Sequence, residues 1–251
     1  MRGGAKTMMN GWWLIPAFFV IAMVYASVGH GGASGYLAAL SFVVLRPDEM
    51  ATTALTLNLF VGGLALASFV RAGHLISSLT WPLVAASVPC AFLGGVTVVP
   101  LRAYAWLLAI ALVVAAFRLV KEAPASQEAR VKIPGLAIAL PVGGVIGWLS
   151  GVVGIGGGIF LSPLLLFLGW ATPKQAAASS AGFIVVNSAA ALLGRWVRHG
   201  IRYGAMWPLL LAACAGGLVG ARLGASQFSG RTLKRLLAIV LLVAAMKAVM
   251  G

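Results

Sequence analysis

The chain has 251 residues, of which 61% are hydrophobic and only 9% charged, with a mean hydropathy of +1.03. A soluble domain carries roughly 25% charged residues, so this composition describes a polytopic membrane protein with no length left for a separate soluble domain. The formal net charge of +14 is scattered singly or in small groups between apolar runs; that excludes the usual footprint of a nucleic-acid binder and points to lipid headgroups and an anionic solute.

The first thirty residues imitate a secretory signal, with Arg2 and Lys6, an apolar stretch from Trp12 to Val24, and small residues near Ala26. Cleavage there would remove the helix that leads into a glycine loop, so the segment is read as a retained first transmembrane helix. Apolar segments follow at about 12–29, 33–45, 51–70, 80–99, 103–119, 134–153, 157–170, 176–194, 204–224 and 233–250. Eight approach spanning length. Two, 33–45 and 157–170, are too short to cross ~30 Å of hydrocarbon as helices. Cys90 and Cys214 each lie within an apolar run and read as small core residues rather than a disulfide framework.

Each short segment follows a glycine cluster: VGHGGASG at Val28–Gly35, and GVVGIGGGIFLSPLL at Gly151–Leu165. Glycine at this density lets the backbone leave the helix and bring bare N–H groups close to a ligand. Open backbone inside a membrane is tolerated only where it lines a cavity or is buried in protein. The two clusters also align. At an offset of about 125–127, Gly29, Gly31 and Gly32 fall on Gly154, Gly156 and Gly157; Pro47 falls on Pro173, and Arg71 and Gly73 on Arg198 and Gly200. Trp81-Pro82 falls on Trp207-Pro208, and Gly94 on Gly220. Matches in register argue for duplication, the common plan of secondary transporters with a site at the repeat interface.

The expectation is therefore an all-α polytopic membrane protein. It has about eight spanning helices plus two short glycine-initiated re-entrant or broken helices, in two pseudo-symmetric repeats. Residues 1–119 form the first repeat, 120–133 a polar linker, and 134–251 the second. Whether the repeats are inverted or parallel stays open, because Lys and Arg divide nearly evenly between sides; the preference is for inversion.

A helix that starts after each loop directs unsatisfied N–H groups and its positive dipole end at the loop, which suits an anion. The candidate substrate-binding residues are Gly29, His30, Gly31, Gly32 and Ser34 in the first loop, and Gly154, Gly156, Gly157 and Gly158 in the second. Thr53, Asn58, Ser180 and Asn187, polar residues inside the following apolar segments, could complete an anion's shell. Each is equally suited to an interhelical hydrogen bond. His30 is the titratable group of the first loop and could hydrogen-bond the anion or carry a proton. Arg71 and Arg198, with Arg195 and Arg202, could line a vestibule that concentrates anions, or anchor to headgroups.

The only acids, Asp48, Glu49, Glu122 and Glu128, lie in polar connections, so the usual intramembrane carboxylate relay is missing. No nucleotide loop, HExxH or cysteine cluster is present, and neither a catalytic role, a metal nor a cofactor is expected.

With its repeated glycine loops and twofold plan, nearly the whole chain resembles the TauE/SafE sulfite exporter family, also grouped as toluene sulfonate uptake permeases. His30 and Ala33 depart from the apolar and glycine positions commoner there. The resemblance implies movement of sulfite, sulfonates or related organosulfur anions across the cytoplasmic membrane. The reading is thus a multi-pass inner-membrane transporter, most simply an exporter, working by alternating access. Its partners are a small anionic substrate and membrane lipids, with a homo-oligomer left open. The alternatives are proton-coupled uptake of a sulfonate or other organic anion through His30, and, from another class, a non-transporting assembly subunit or a lipid-acting membrane enzyme.

Overall fold

The computed structural model describes residues 12–40, 47–97, 132–200 and 206–229, with isolated positions between 231 and 242. The expected apolar segment 103–119, most of the 120–133 linker and most of the segment 233–250 lie outside the described residues. The elements in order are α1 (Leu14–Ser27), α2 (Ala33–Leu40), α3 (Pro47–Arg71), α4 (Ser77–Val96), α5 (Leu136–Val153), α6 (Gly158–Phe167), α7 (Pro173–His199) and α8 (Trp207–Arg222). A wide π-type turn, Leu223–Gln227, prolongs α8. The described residues form an all-helical protein, and five of these helices are long and apolar enough to cross a membrane. At 14 and 10 residues, α1 and α6 are apolar but too short. At 1.5 Å per residue neither can span ~30 Å alone.

Local chemistry sets the ends. Helix α7 opens on a capping box, in which Thr172 accepts from the backbone of the first turn and Gln175 Oε1 accepts from the Thr172 N–H at 2.9 Å, with Pro173 where a missing N–H costs nothing. Helix α5 stops at Gly154, whose φ of 79° takes the chain out of the helix. Trp81, Trp196 and Trp207, all exposed, sit near the ends of α4, α7 and α8, where amphipathic rings anchor at membrane interfaces.

The helices meet through small residues. On α5, Gly143, Gly147 and Gly151 face the backbone of Leu83, Ser87 and Ala91 on α4, where a methyl would land on each carbonyl oxygen. On α8, Gly216 and Gly220, with Gly224 in the turn beyond, face Phe19, Met23 and Ser27 on α1 in the same way. Spacing by four keeps each trio on one helix face. The absence of side chains lets backbones approach, which supplies the van der Waals contact that holds helices together in lipid.

The pairings also fix direction. Both numbers rise together in the α4–α5 and α1–α8 contacts, so these pairs are parallel. Thr80 bonds Ser179 while Gly95 abuts Ala191, so α4 and α7 are parallel too. Helices α3 and α7 are antiparallel: Leu55 clusters with Ala191 and Leu192, Gly62 lies beside Ile184, and Gly182 beside Leu66. Val61 meets Gly217 and His74 Nε2 lies 3.1 Å from the Ala225 carbonyl, which makes α3 and α8 parallel.

Two hairpins follow from this. Tyr25 bonds Ser34 and Phe18 stacks on Tyr36, folding α2 back along α1. Gly158 lies beside Ile184 and Ser162 bonds Ser180, so α6 is antiparallel to α7 and runs back along α5. The α1–α2 and α5–α6 hairpins enter the helix bundle from opposite ends.

Candidate functional site

The tips of these hairpins are the two glycine clusters. All residues from Gly29 to Ala33 and from Gly154 to Ile159 are buried. Gly156 and Gly157 have φ of 77° and 78°, a region that costs a residue with a Cβ. Each is also hemmed in. A Cβ on Gly156 would stand 2.7 Å from Asn58 Nδ2 and 2.9 Å from Ser188 Oγ, and one on Gly157 2.8 Å from the Phe183 ring. A side chain on either glycine would therefore meet its neighbours, and Gly157→Ala disturbs packing as well as any ligand.

Asn58 joins the tips. Its Oδ1 accepts from the Ala33 N–H at 3.1 Å, and its Nδ2 donates to the Ile155 carbonyl at 3.2 Å. One residue of α3 therefore ties the start of α2 to the second loop. His30 is 2% exposed and lies against the backbone of Gly158, again across the two hairpins. Its Nδ1 lies 3.0 Å from the Val28 carbonyl. A carbonyl only accepts, so this contact puts the ring's proton on Nδ1. Gly29 abuts the backbone of Ala177 on α7, and Gly154 abuts Ala51 on α3.

Among the described residues, nothing accepts a hydrogen bond from the N–H groups of Gly31, Gly32, Gly156, Gly157 or Gly158. These are the orphan donors of two helix starts, and together they make a donor-rich centre.

The other expected residues divide. Ser34 shares a 2.9 Å hydrogen bond with Tyr25. Ser180 accepts from Ser162 at 2.6 Å. Asn187 donates to the Phe183 carbonyl one turn back at 2.8 Å, leaving its Oδ1 without a partner. Thr53 is buried on α3. Arg71 and Arg198 are exposed at the ends of α3 and α7, and Arg202 lies outside the described residues. Arg195 is different: it is 6% exposed and its Nη2 reaches the carbonyls of Val152 at 3.2 Å and Gly151 at 3.5 Å. It satisfies the C-terminal carbonyls of α5 where the chain turns into the second loop, an arrangement that charge and dipole both favour.

Sequence reading passed over Ser150, and did not carry Ser188 into the site. Both are fully buried, and neither hydroxyl has a partner among the described residues. Ser150 Cβ lies 3.1 Å from where a Cβ on Gly157 would stand, and Ser188 Oγ 2.9 Å from that on Gly156. The signal for Ser150 was its place one turn before Gly154, whose N–H bonds the Ser150 carbonyl at 2.9 Å.

Comparison with known proteins identifies the family. The family described as "Sulfite exporter TauE/SafE" matches residues 14–248. A probable membrane transporter protein, y4hK, of Sinorhizobium fredii (strain NBRC 101917 / NGR234) is 38% identical over 234 residues, 92% of this chain and 95% of its own. No solved structure matches. A match that runs from the first helix through both glycine hairpins and on beyond α8 makes this chain a member of the TauE/SafE family of membrane transporters.

Proposed function

We propose that this protein is a secondary transporter of a small sulfur-containing oxyanion such as sulfite or an organosulfonate, working most simply as an exporter in the inner membrane. The observation that carries the reading is the meeting of two glycine hairpins whose N–H groups stay unpaired inside the protein. Donors of this kind, held at helix starts, stabilise an anion without a buried lysine. Export needs no coupling ion: an inside-negative potential favours a leaving monoanion by about 2.3 kcal/mol per 100 mV.

The halves 1–119 and 134–251, joined by 120–133, are read as inverted repeats. Equivalent contacts recur between them: α4 on α5 answers α8 on α1, Gly29 on Ala177 answers Gly154 on Ala51, and the equivalent helices α3 and α7 run antiparallel. An axis lying in the membrane plane supports alternating access by rocking one hairpin against the other.

A second reading, proton-coupled uptake, draws on the burial of His30 at the junction of the hairpins. Counterflow in proteoliposomes tests both. Purified protein should exchange labelled sulfite or methanesulfonate, with efflux driven by an imposed inside-negative potential and unaffected by collapsing a pH gradient. Uptake that stops when the pH gradient is collapsed, and that His30→Gln frees from pH, favours the proton-coupled reading. No flux of either anion overturns the transport assignment.

A further inference from the structure

The two glycine loops are not equivalent in chemistry. In the first, Ala33 N–H bonds Asn58, Ser34 bonds Tyr25 and His30 Nδ1 bonds Val28; the side-chain atoms left without a partner among the described residues are His30 Nε2, an acceptor once the proton is on Nδ1, and the Tyr36 hydroxyl. In the second, two fully buried hydroxyls, on Ser150 of α5 and Ser188 of α7, have no partner among the described residues, and they flank Gly157 and Gly156 respectively. The N–H groups of Gly156, Gly157 and Gly158 are also unpaired among the described residues. A buried polar group without a partner is costly and calls for one.

We propose that the anion is seated on the second loop, with the hydroxyls of Ser150 and Ser188 donating to its oxygens beside the N–H groups of Gly156–Gly158. This rests on the reading of the protein as an anion transporter. The ligand class it fits is an oxyanion with at least two acceptor oxygens, one turned to each serine. Arg195 stands at the edge of this seat with its Nη2 already donating to Gly151 and Val152, so it holds the loop's shape and supplies background charge. The first loop closes the seat through Asn58, whose amide lies against Gly156 while it bonds both hairpins. Substrate entry then requires this bridge to part.

The experiment uses the purified full chain in lipid nanodiscs, with sulfite and methanesulfonate as probes. Binding is titrated and unliganded melting measured for wild type, Ser150→Ala, Ser188→Ala and Ser34→Ala. Losing one hydroxyl that donates to a charged acceptor should weaken binding about tenfold. Removing a hydroxyl that has no partner should leave unliganded melting unchanged or raise it. Both results are expected for Ser150→Ala and Ser188→Ala. The seat is overturned if those variants bind as wild type, if Ser34→Ala weakens binding as much or more, or if the two alanine variants melt well below wild type, since the hydroxyls would then be structural. Wild-type protein that binds neither probe is a separate outcome and sinks the transport reading on which the seat depends.

Discussion

Asn58 is the residue on which most of the centre turns. It sits on α3 with no exposed surface and bonds groups 25 and 97 positions away in the chain. Replacing it with alanine leaves Ala33 N–H and Ile155 C=O unpaired in a buried place, at about 1–3 kcal/mol each. Asn58→Ala should therefore melt clearly below wild type. Asn58→Asp should do no better, since a carboxylate keeps the acceptor for Ala33, loses the donor for Ile155 and brings a buried charge. Melting curves followed by size exclusion decide it; wild-type stability in Asn58→Ala would mean the bridge is idle. Arg195 shows the same logic with a charge. A cation buried in lipid is expensive, and this one is tolerated because it finds the carbonyls that end α5. Among the arginines expected at a vestibule, Arg71 and Arg198 stay at the exposed rim and Arg195 turns inward.

At the scale of elements, glycine does two different jobs. In the loops it permits left-handed backbone; in α5 and α8 it permits contact between backbones. The trio Gly143, Gly147, Gly151 and the trio Gly216, Gly220, Gly224 set the α4–α5 and α1–α8 distances. Gly220→Leu should thus cost folded yield, because the side chain would land on the Met23 backbone, which cannot yield as a flexible side chain would. Gly63 on α3 is the contrast, with nothing within 4 Å of an added Cβ. Gly63→Ala should be neutral or stabilising by up to about 1 kcal/mol, the usual gain of alanine in a helix. Comparing monodisperse yield and melting for the two variants checks this; equal losses would show that the stripe is not what holds the helices.

At the scale of the molecule, the parallel and antiparallel pairings assign helix ends to membrane faces. Ser77 at the start of α4 and Ser226 just beyond α8 belong on one face, and Arg198 at the end of α7 on the other; all three are exposed. Single cysteines at these positions, with Cys90 and Cys214 replaced by alanine, should react accordingly with an impermeant maleimide in cells and in inverted vesicles. Labelling of Ser77→Cys and Arg198→Cys from the same side would rule out the arrangement and the inverted repeat with it.

The sequence by itself determined the class of protein and the family, and it singled out the two glycine loops. Hydrophobic content and segment length follow directly from the requirement that lipid-exposed backbone be helical. The loops at Val28–Gly35 and Gly151–Leu165 stand out because glycine most readily adopts the left-handed backbone found at Gly29, Gly32, Gly154, Gly156 and Gly157. Partnership was not legible. Whether Asn58, Ser34, Ser180 or Asn187 faces a ligand or a neighbour depends on which helices touch, and hydroxyl and amide groups look the same in a sequence whether paired or not. Only the fold decided that Ser34 meets Tyr25 and Ser180 meets Ser162, while Ser150 and Ser188 meet nothing among the described residues. Direction was hidden for the same reason. Lysine and arginine counts weigh the two faces almost equally, whereas the order of contacts along α3 and α7 is antiparallel because packing reads helix direction that composition does not carry.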